Sequence, residues 1–199
     1  MEKILQLFLY HNKLKFNEIE KMTKIRSNKL AYYLKKLINE NVLTKEKEFY
    51  YLNKESEYLI PYIDSKISVL PVILIAITKN KEIFFYKRTK RPYKDKLSLP
   101  GGRIILGENI KQAVKRIMKK YNINANLKKI NSISLEQVKN KLGKIIHSFL
   151  LIFVTAETKD KIFYINTKNC KKNIIESDYK LIMNDLNKEI KIRNILSRI

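Results

Sequence analysis

The chain has 199 residues, 45% of them hydrophobic, so it can bury ordinary cores and is not expected to be disordered. Its formal net charge is +23, which is typical of proteins that bind polyanions, although the excess of lysine also matches the bias of an AT-rich genome. A single cysteine and two histidines exclude a disulfide framework and a Cys/His zinc site. Apolar runs are too short to span a membrane and Met1–Tyr10 does not resemble a signal peptide, so we expect a cytoplasmic protein with no membrane partner.

Residues 1–60 are predicted to form three helices and a β-hairpin. Glu2–Tyr10 is an apolar helix, Asn17 is expected to cap a second helix, and Ser27 a third. A β-hairpin with the turn Lys45–Glu48 is expected to follow. The residues predicted to face inward are Phe16, Ile19 and Met22 on the second helix, and Leu30, Leu34, Leu37 and Ile38 on the third.

This order of elements resembles a winged helix-turn-helix of the ArsR/MarR type, over about residues 2–55. The resemblance implies that the third helix enters the major groove of DNA. A protein-interaction winged helix is the alternative, because the turn Lys45–Glu48 is charge-neutral. The residues expected to contact DNA are Arg26, Ser27, Asn28, Lys29, Tyr32, Tyr33 and Lys36.

Residues 67–199 form a second predicted domain, after a boundary in Glu57–Lys66 that contains Pro61. The expected strands are Val69–Ile77, Glu82–Lys87 and Ile145–Val154. A basic loop leads to Leu-Ser-Leu-Pro-Gly-Gly at residues 97–102, a helix begins near Asn109, and a C-terminal helix is expected near Asp178–Asn194.

The segment after Gly102 resembles the Nudix signature, G-x5-E-x7-R-E-U-x-E-E-x-G-U, in which U is aliphatic. Glu108 and Arg116 fall at the matching positions. The resemblance implies an α/β/α sandwich with a mixed sheet, so the predicted fold class is α/β with two domains. For Glu108 and Arg116 it implies a structural role, in which they brace the loop against the helix.

The chain departs from this signature where active family members hold magnesium. Those three glutamates are replaced by Ile117, Lys120 and Tyr121, and residues 109–135 contain no acidic residue. Magnesium requires oxygen ligands in near-octahedral geometry, which an ammonium cannot provide. We therefore expect no metal, no cofactor, no catalytic residue and no enzymatic activity.

A phosphorylated ligand is expected instead, in a pocket beside the basic loop. Lys120 could stand in place of the metal. The leading hypothesis is a homodimeric transcriptional regulator that binds double-stranded DNA and senses a nucleotide or nucleotide-sugar. The residues expected to bind that ligand are Arg88, Arg91, Gly101, Gly102, Arg103 and Lys120.

Two alternatives stay open at this point. One is a Nudix hydrolase of nucleoside diphosphate derivatives with displaced metal ligands, for which Glu136, Glu157 and His147 are the candidates. The other is a constitutive DNA-binding or architectural protein whose second domain only dimerises. Magnesium-dependent turnover would distinguish the first, and stabilisation by a small ligand would argue against the second.

Overall fold

The computed structural model describes residues 1–63, 68–80, 82–89, 93–140 and 142–195, except for the side chains of 57, 58, 60 and 61. The chain divides into two compact units, Met1–Ile67 and Ser68–Ile199. Among the described residues, no helix is long and apolar enough to cross a membrane.

Unit 1 contains three helices and a three-stranded antiparallel sheet in the order β1-β3-β2. Its core includes Ile4, Ile19, Leu30, Leu34 and Leu43, each less than 2% exposed. The predicted stripe on the third helix therefore lies in the core, with Ile38 at its edge. The elements are α1 (Glu2–Leu7), β1 (Leu14–Lys15), α2 (Phe16–Thr23), α3 (Ser27–Asn39), β2 (Leu43–Glu46) and β3 (Phe49–Leu52), followed by a 3₁₀ helix at Lys54–Tyr62.

Several local predictions for unit 1 are wrong. The N-cap of α2 is Lys15 rather than Asn17, because the Glu18 carboxylate accepts a hydrogen bond from the Lys15 backbone N–H at 2.7 Å. The N-cap of α3 is Arg26 rather than Ser27, whose hydroxyl instead donates to the Glu20 carboxylate. Met22 is 47% exposed and does not belong to the core. The strand β1, which pairs with β3, was not predicted.

Unit 2 is built on a six-stranded sheet in the order β11-β5-β4-β10-β9, with β8 also paired to β4. The pairing of β4 with β10 is parallel and the other pairings are antiparallel, so the sheet is mixed. The strands β6 and β7 form a separate pair. The strands are β4 (Leu70–Lys79), β5 (Glu82–Ile83), β6 (Tyr86–Lys87), β7 (Leu97–Ser98), β8 (Gly101–Arg103), β9 (Ala125–Lys139), β10 (Ile145–Thr158) and β11 (Ile165–Asn166).

One helix packs on each face of this sheet. Successive side chains of a strand point to opposite faces. Ile73 and Ile75 of β4 accordingly pack with α4 (Ile110–Lys119), while Leu74 and Ala76 lie in the cluster that includes α5 (Glu176–Asp185). A 3₁₀ turn at Lys171–Asn173 precedes α5. This arrangement confirms the predicted mixed α/β fold.

The structure corrects two predictions for unit 2. The C-terminal helix ends at Asp185 instead of Asn194. Asn131, which is fully buried on β9, takes part in this ending, because its Nδ2 donates to the carbonyl oxygens of Leu186 and Lys188 at 2.6 and 3.2 Å. The 15-residue strand β9 itself was not predicted.

Candidate active site

A cleft of about 280 Å³ lies on the α5 face of the sheet in unit 2. A neighbouring cavity of about 520 Å³ shares Tyr93, Glu136, Leu151 and Ser177 with it, so the two spaces adjoin. The apolar lining of the cleft is Val72, Leu74, Leu99, Phe149, Leu151 and Ile175. Its polar and aromatic lining is Tyr86, Arg88, Tyr93, Ser98, Gly101, Gly102, Arg103, Glu136, Ser177 and Asp178.

Asp178 is the buried carboxyl group of this cleft, with 3% of the residue exposed. It lies in the first turn of α5 and accepts hydrogen bonds from the Ser98 hydroxyl at 3.0 Å and the Leu99 backbone N–H at 2.8 Å. Burial raises the pKa of Asp178 to about 6, and the Glu136 carboxylate adds to this effect. Asp178 therefore ties the loop after β7 to α5.

Glu136 is the second carboxylate of the cleft. It lies on β9 opposite Phe149 of β10 and lines both cavities. Its charge helps raise the pKa of Tyr93 and Asp178, so it is close to both groups. A half-exposed carboxylate beside a ligand-sized cleft is suited to accept a proton.

Tyr86 connects the cleft to the end of α4. The Arg88 Nη1 donates to the Tyr86 hydroxyl at 3.3 Å. The ring of Tyr121, just beyond α4, lies 4.9 Å from the ring of Tyr86, centroid to centroid, and 6.2 Å from that of Phe84. Burial and the Tyr86 hydroxyl together raise the pKa of Tyr121.

The signature loop runs beside the cleft and is fixed by an ion pair. Arg116 pairs through Nε with Glu108, and its Nη2 donates to the other Glu108 oxygen and to the Arg103 carbonyl, both at 2.8 Å. Glu108 also accepts from the Ile105 backbone N–H at 3.1 Å. The Arg116 guanidinium holds the pKa of Glu108 below its usual range. This geometry braces the loop against α4.

The residues on α4 do not fit a magnesium ion. Ile117 is fully buried in the core, Lys120 is a cation at the C-cap, and the Tyr121 ring packs against that of Tyr86. In the described part of the chain, no three His, Cys, Asp or Glu side chains are grouped so as to hold a metal. The polar side chains that line the cleft belong to arginines, tyrosines, serines and two carboxyl groups.

The structure brings together four of the six predicted ligand-binding residues, Arg88, Gly101, Gly102 and Arg103. Arg91 lies outside the described residues. Lys120 does not line the cleft, because it ends α4 on the surface, so its predicted place in the pocket is wrong.

Of the three candidates for a rebuilt catalytic site, only Glu136 lines the cleft. Glu157 lines a different cavity together with Asp160, and His147 is exposed and stacks on Phe149 at 5.9 Å. Sequence reasoning missed Tyr86, Tyr93 and Asp178. Asp178 bonds to residues about 80 positions away, and no local pattern reports such a contact.

The predicted DNA-contacting residues lie in the first turn of α3, from Arg26 to Lys29, and farther along the helix at Tyr32, Tyr33 and Lys36. All of them are exposed except Tyr33, which is partly buried. Lys29 lies over the Tyr33 ring at 5.7 Å and Lys36 is 3.8 Å from Glu40. Their role on DNA stays a prediction.

No protein-family model matches the chain, and no curated protein matches its sequence. Among solved structures, it is similar to a NUDIX hydrolase from Nitrosomonas europaea, with 12% identity and a TM-score of 0.49 over 58% of this chain and 87% of that one. It is similar to a UDP-X diphosphatase, with 14% identity and a TM-score of 0.47 over 92% of this chain and 88% of that one. A MutT NUDIX hydrolase from Burkholderia pseudomallei shows 12% identity and a TM-score of 0.47, over 59% and 98%.

These comparisons correct the predicted function. All three proteins are described as hydrolases or diphosphatases, and none as a DNA-binding regulator. The prediction of a transcriptional regulator is therefore wrong, as is the prediction that the chain is not an enzyme, and the hydrolase alternative fits better. The predicted partners, double-stranded DNA, a nucleotide effector and a second copy, are not tested and stay predictions. With its mixed sheet, its loop from Gly101 to Glu108 and the helix α4 that follows, unit 2 has a Nudix-like fold.

Proposed function

We propose that unit 2 is a hydrolase that cleaves the phosphoric anhydride bond of a nucleoside diphosphate derivative. The observation that carries this proposal is the composition of the cleft, in which the Glu136 carboxylate lies with the guanidinium groups of Arg88 and Arg103. A carboxylate can activate water, and guanidinium groups recognise phosphoryl oxygens through paired hydrogen bonds.

In this mechanism a water molecule attacks one phosphorus atom of the diphosphate. Glu136 accepts a proton from the water as the new P–O bond forms. The bond from phosphorus to the bridging oxygen breaks, and its electron pair leaves with the second phosphate. Arg88 and Arg103 offset the negative charge on the phosphoryl oxygens.

The shape of the cleft supports a ligand with an aromatic group. Tyr93 and Phe149 offer ring surfaces beside the charged residues, and the apolar lining of Val72, Leu74 and Leu151 can exclude water. A nucleoside diphosphate derivative combines such a ring with the anion that the arginines need. A solved structure similar to this chain is described as a UDP-X diphosphatase, and its name refers to a nucleoside diphosphate derivative.

The test is turnover of a panel of nucleoside diphosphate derivatives by the full chain, with Mg²⁺ or Mn²⁺ and separately with EDTA. Glu136→Gln should lower kcat by roughly 10²–10⁴-fold, as expected for loss of a general base. Glu157→Gln is the matched control, since Glu157 lines a separate cavity. Absence of turnover under both conditions, or full activity of Glu136→Gln, would contradict the proposal.

We also propose that unit 1 has a winged helix-turn-helix fold. The order of three helices and a hairpin supports it, with β1 completing the sheet against β3. Nuclear Overhauser contacts between the backbones of Leu14 and Tyr50, and between those of Leu43 and Leu52, are expected from the strand register. Their absence in the full chain would contradict this fold.

A further inference from the structure

We propose that Tyr86, Arg88 and Tyr121 form a site that binds a phosphate or diphosphate anion without a divalent cation, with the Tyr86 hydroxyl as a direct hydrogen-bond donor to the anion. This deepens the proposed function and rests on it for the class of substrate. It places a hydroxyl and a guanidinium beside Tyr121, one of the three positions at which the resemblance to the Nudix signature implies a magnesium ligand.

The first support is the position of Tyr86. Tyr86 lines the cleft together with Arg88 and Arg103, and its hydroxyl oxygen lies 3.3 Å from the Arg88 Nη1. Tyr121 lies behind it, half-buried, with the two rings 4.9 Å apart. Phe84 packs against the edge of Tyr121 at 6.2 Å and helps fix that ring.

The second support is the direction of the hydrogen bonds. A guanidinium group can only donate hydrogen bonds. The Arg88 Nη1 is therefore the donor in its bond with the Tyr86 oxygen, at 3.3 Å. Burial raises the pKa of the neighbouring Tyr121, so its hydroxyl stays protonated beside Tyr86. The Tyr86 oxygen is the acceptor in its bond with Arg88, so its own hydrogen can donate into the cleft.

Such an arrangement suits an anion. A hydroxyl that accepts from a guanidinium becomes a stronger donor, because hydrogen-bonded groups polarise one another. Glu136 and Asp178 line the same cleft and disfavour an anion beside them. The anion is therefore expected next to Tyr86 and the arginines, with Glu136 directed at the water.

The experiment measures binding of pyrophosphate to the full chain by calorimetry in the presence of EDTA. Tyr86→Phe removes one hydroxyl and leaves the net charge unchanged, so non-specific attraction to the basic surface stays the same. Its dissociation constant should rise by about tenfold or more, as expected for a lost hydrogen bond to a charged group. Tyr179→Phe is the matched control, because Tyr179 is partly buried but does not line the cleft.

Tyr121 is a positioning residue in this site, since it acts through Tyr86. Tyr121→Phe should weaken pyrophosphate binding by roughly two- to fivefold, and the double variant with Tyr86→Phe should bind no more weakly than Tyr86→Phe alone. Thermal unfolding of each variant shows whether the fold is kept. Additive losses would overturn the positioning role of Tyr121.

Pyrophosphate binding that appears only with Mg²⁺ would overturn the inference, as would equal affinity of Tyr86→Phe and wild type. The control Glu136→Gln separates this inference from the proposed function, because it should lower kcat by roughly 10²–10⁴-fold and should not weaken pyrophosphate binding. If pyrophosphate binds in EDTA but no substrate is cleaved, the anion site stands and the hydrolase proposal fails. If Glu136-dependent cleavage occurs but pyrophosphate binding needs Mg²⁺, the hydrolase proposal stands and the inference of a metal-free anion site fails.

Discussion

Replacing Asp178 with asparagine isolates the effect of a buried charge on the stability of unit 2. The asparagine has nearly the same shape, and its Oδ1 can still accept from the Leu99 backbone N–H. In the wild type the Ser98 hydroxyl donates to the same carboxylate oxygen as Leu99, so the asparagine oxygen can accept from both and both hydrogen-bonding partners are kept. The substitution therefore removes the ionisation of residue 178 with little change in packing.

The pKa of Asp178 is raised from 3.8 to about 6 on folding, because burial disfavours the charged form. The folded state thus holds this proton more tightly than the unfolded state does. The stabilising contribution is complete below the unfolded pKa and is lost as pH rises through the folded pKa. From about pH 4.5 to about pH 7.5, the wild type should lose about 2 kcal/mol of unfolding free energy through this group.

Urea unfolding of the wild type and Asp178→Asn over this pH range measures the effect, as the difference between their unfolding free energies at each pH. The neighbouring charged groups, Glu136 and Arg88, are the same in both proteins and largely cancel in that difference. The variant should gain about 2 kcal/mol relative to the wild type as pH rises. If the unfolding free energies of the two proteins changed in parallel with pH, the reasoning would be refuted.

Three further substitutions test packing. Ile117→Glu places a carboxylate in a fully buried position, so urea unfolding should show a loss of about 4 kcal/mol or no folded protein at all. Asn131→Ala leaves the Thr155 hydroxyl, 2.9 Å from its Oδ1, without that partner, and chemical denaturation should show a loss of about 3 kcal/mol. Gly101→Ala puts a Cβ 2.9 Å from the Ile73 carbonyl oxygen, so thermal unfolding should show a loss of stability of about 1–3 kcal/mol. Unchanged stability of any of the three variants would contradict the prediction made for it.

The elements with a regular apolar period could be predicted from the sequence. The stripe on α3 and the core face of α4 follow the helical repeat, and the buried part of β10 is a continuous apolar run. The strand β9 could not be predicted in this way, because its pattern is inverted. Ile133 and Leu135 are 45% and 60% exposed, while Asn131 is fully buried with its polar atoms hydrogen-bonded.

The candidate site was only partly predictable for a related reason. The glycines and Arg103 stand in a contiguous motif, so they could be placed together from the sequence. Glu136 could be named only as one of three candidates, since its place in the cleft depends on the pairing of β9 with β10. This pairing of distant segments decides which side chains come into contact, and it cannot be read from the hydrophobic periodicity or the composition of the sequence.

The parallel pairing of β4 with β10 also has a consequence for synthesis. Ile73 pairs with Ile152, about 80 residues later in the chain, whereas the sheet of unit 1 closes when Tyr50 reaches Leu14. On the ribosome, the first unit can therefore fold while the second still lacks a central strand. Until β10 emerges, the apolar strand β4 has one unpaired edge, and such an edge is a template for aggregation. Nascent chains that stall before Ile145 are expected to be the ones that depend on chaperones.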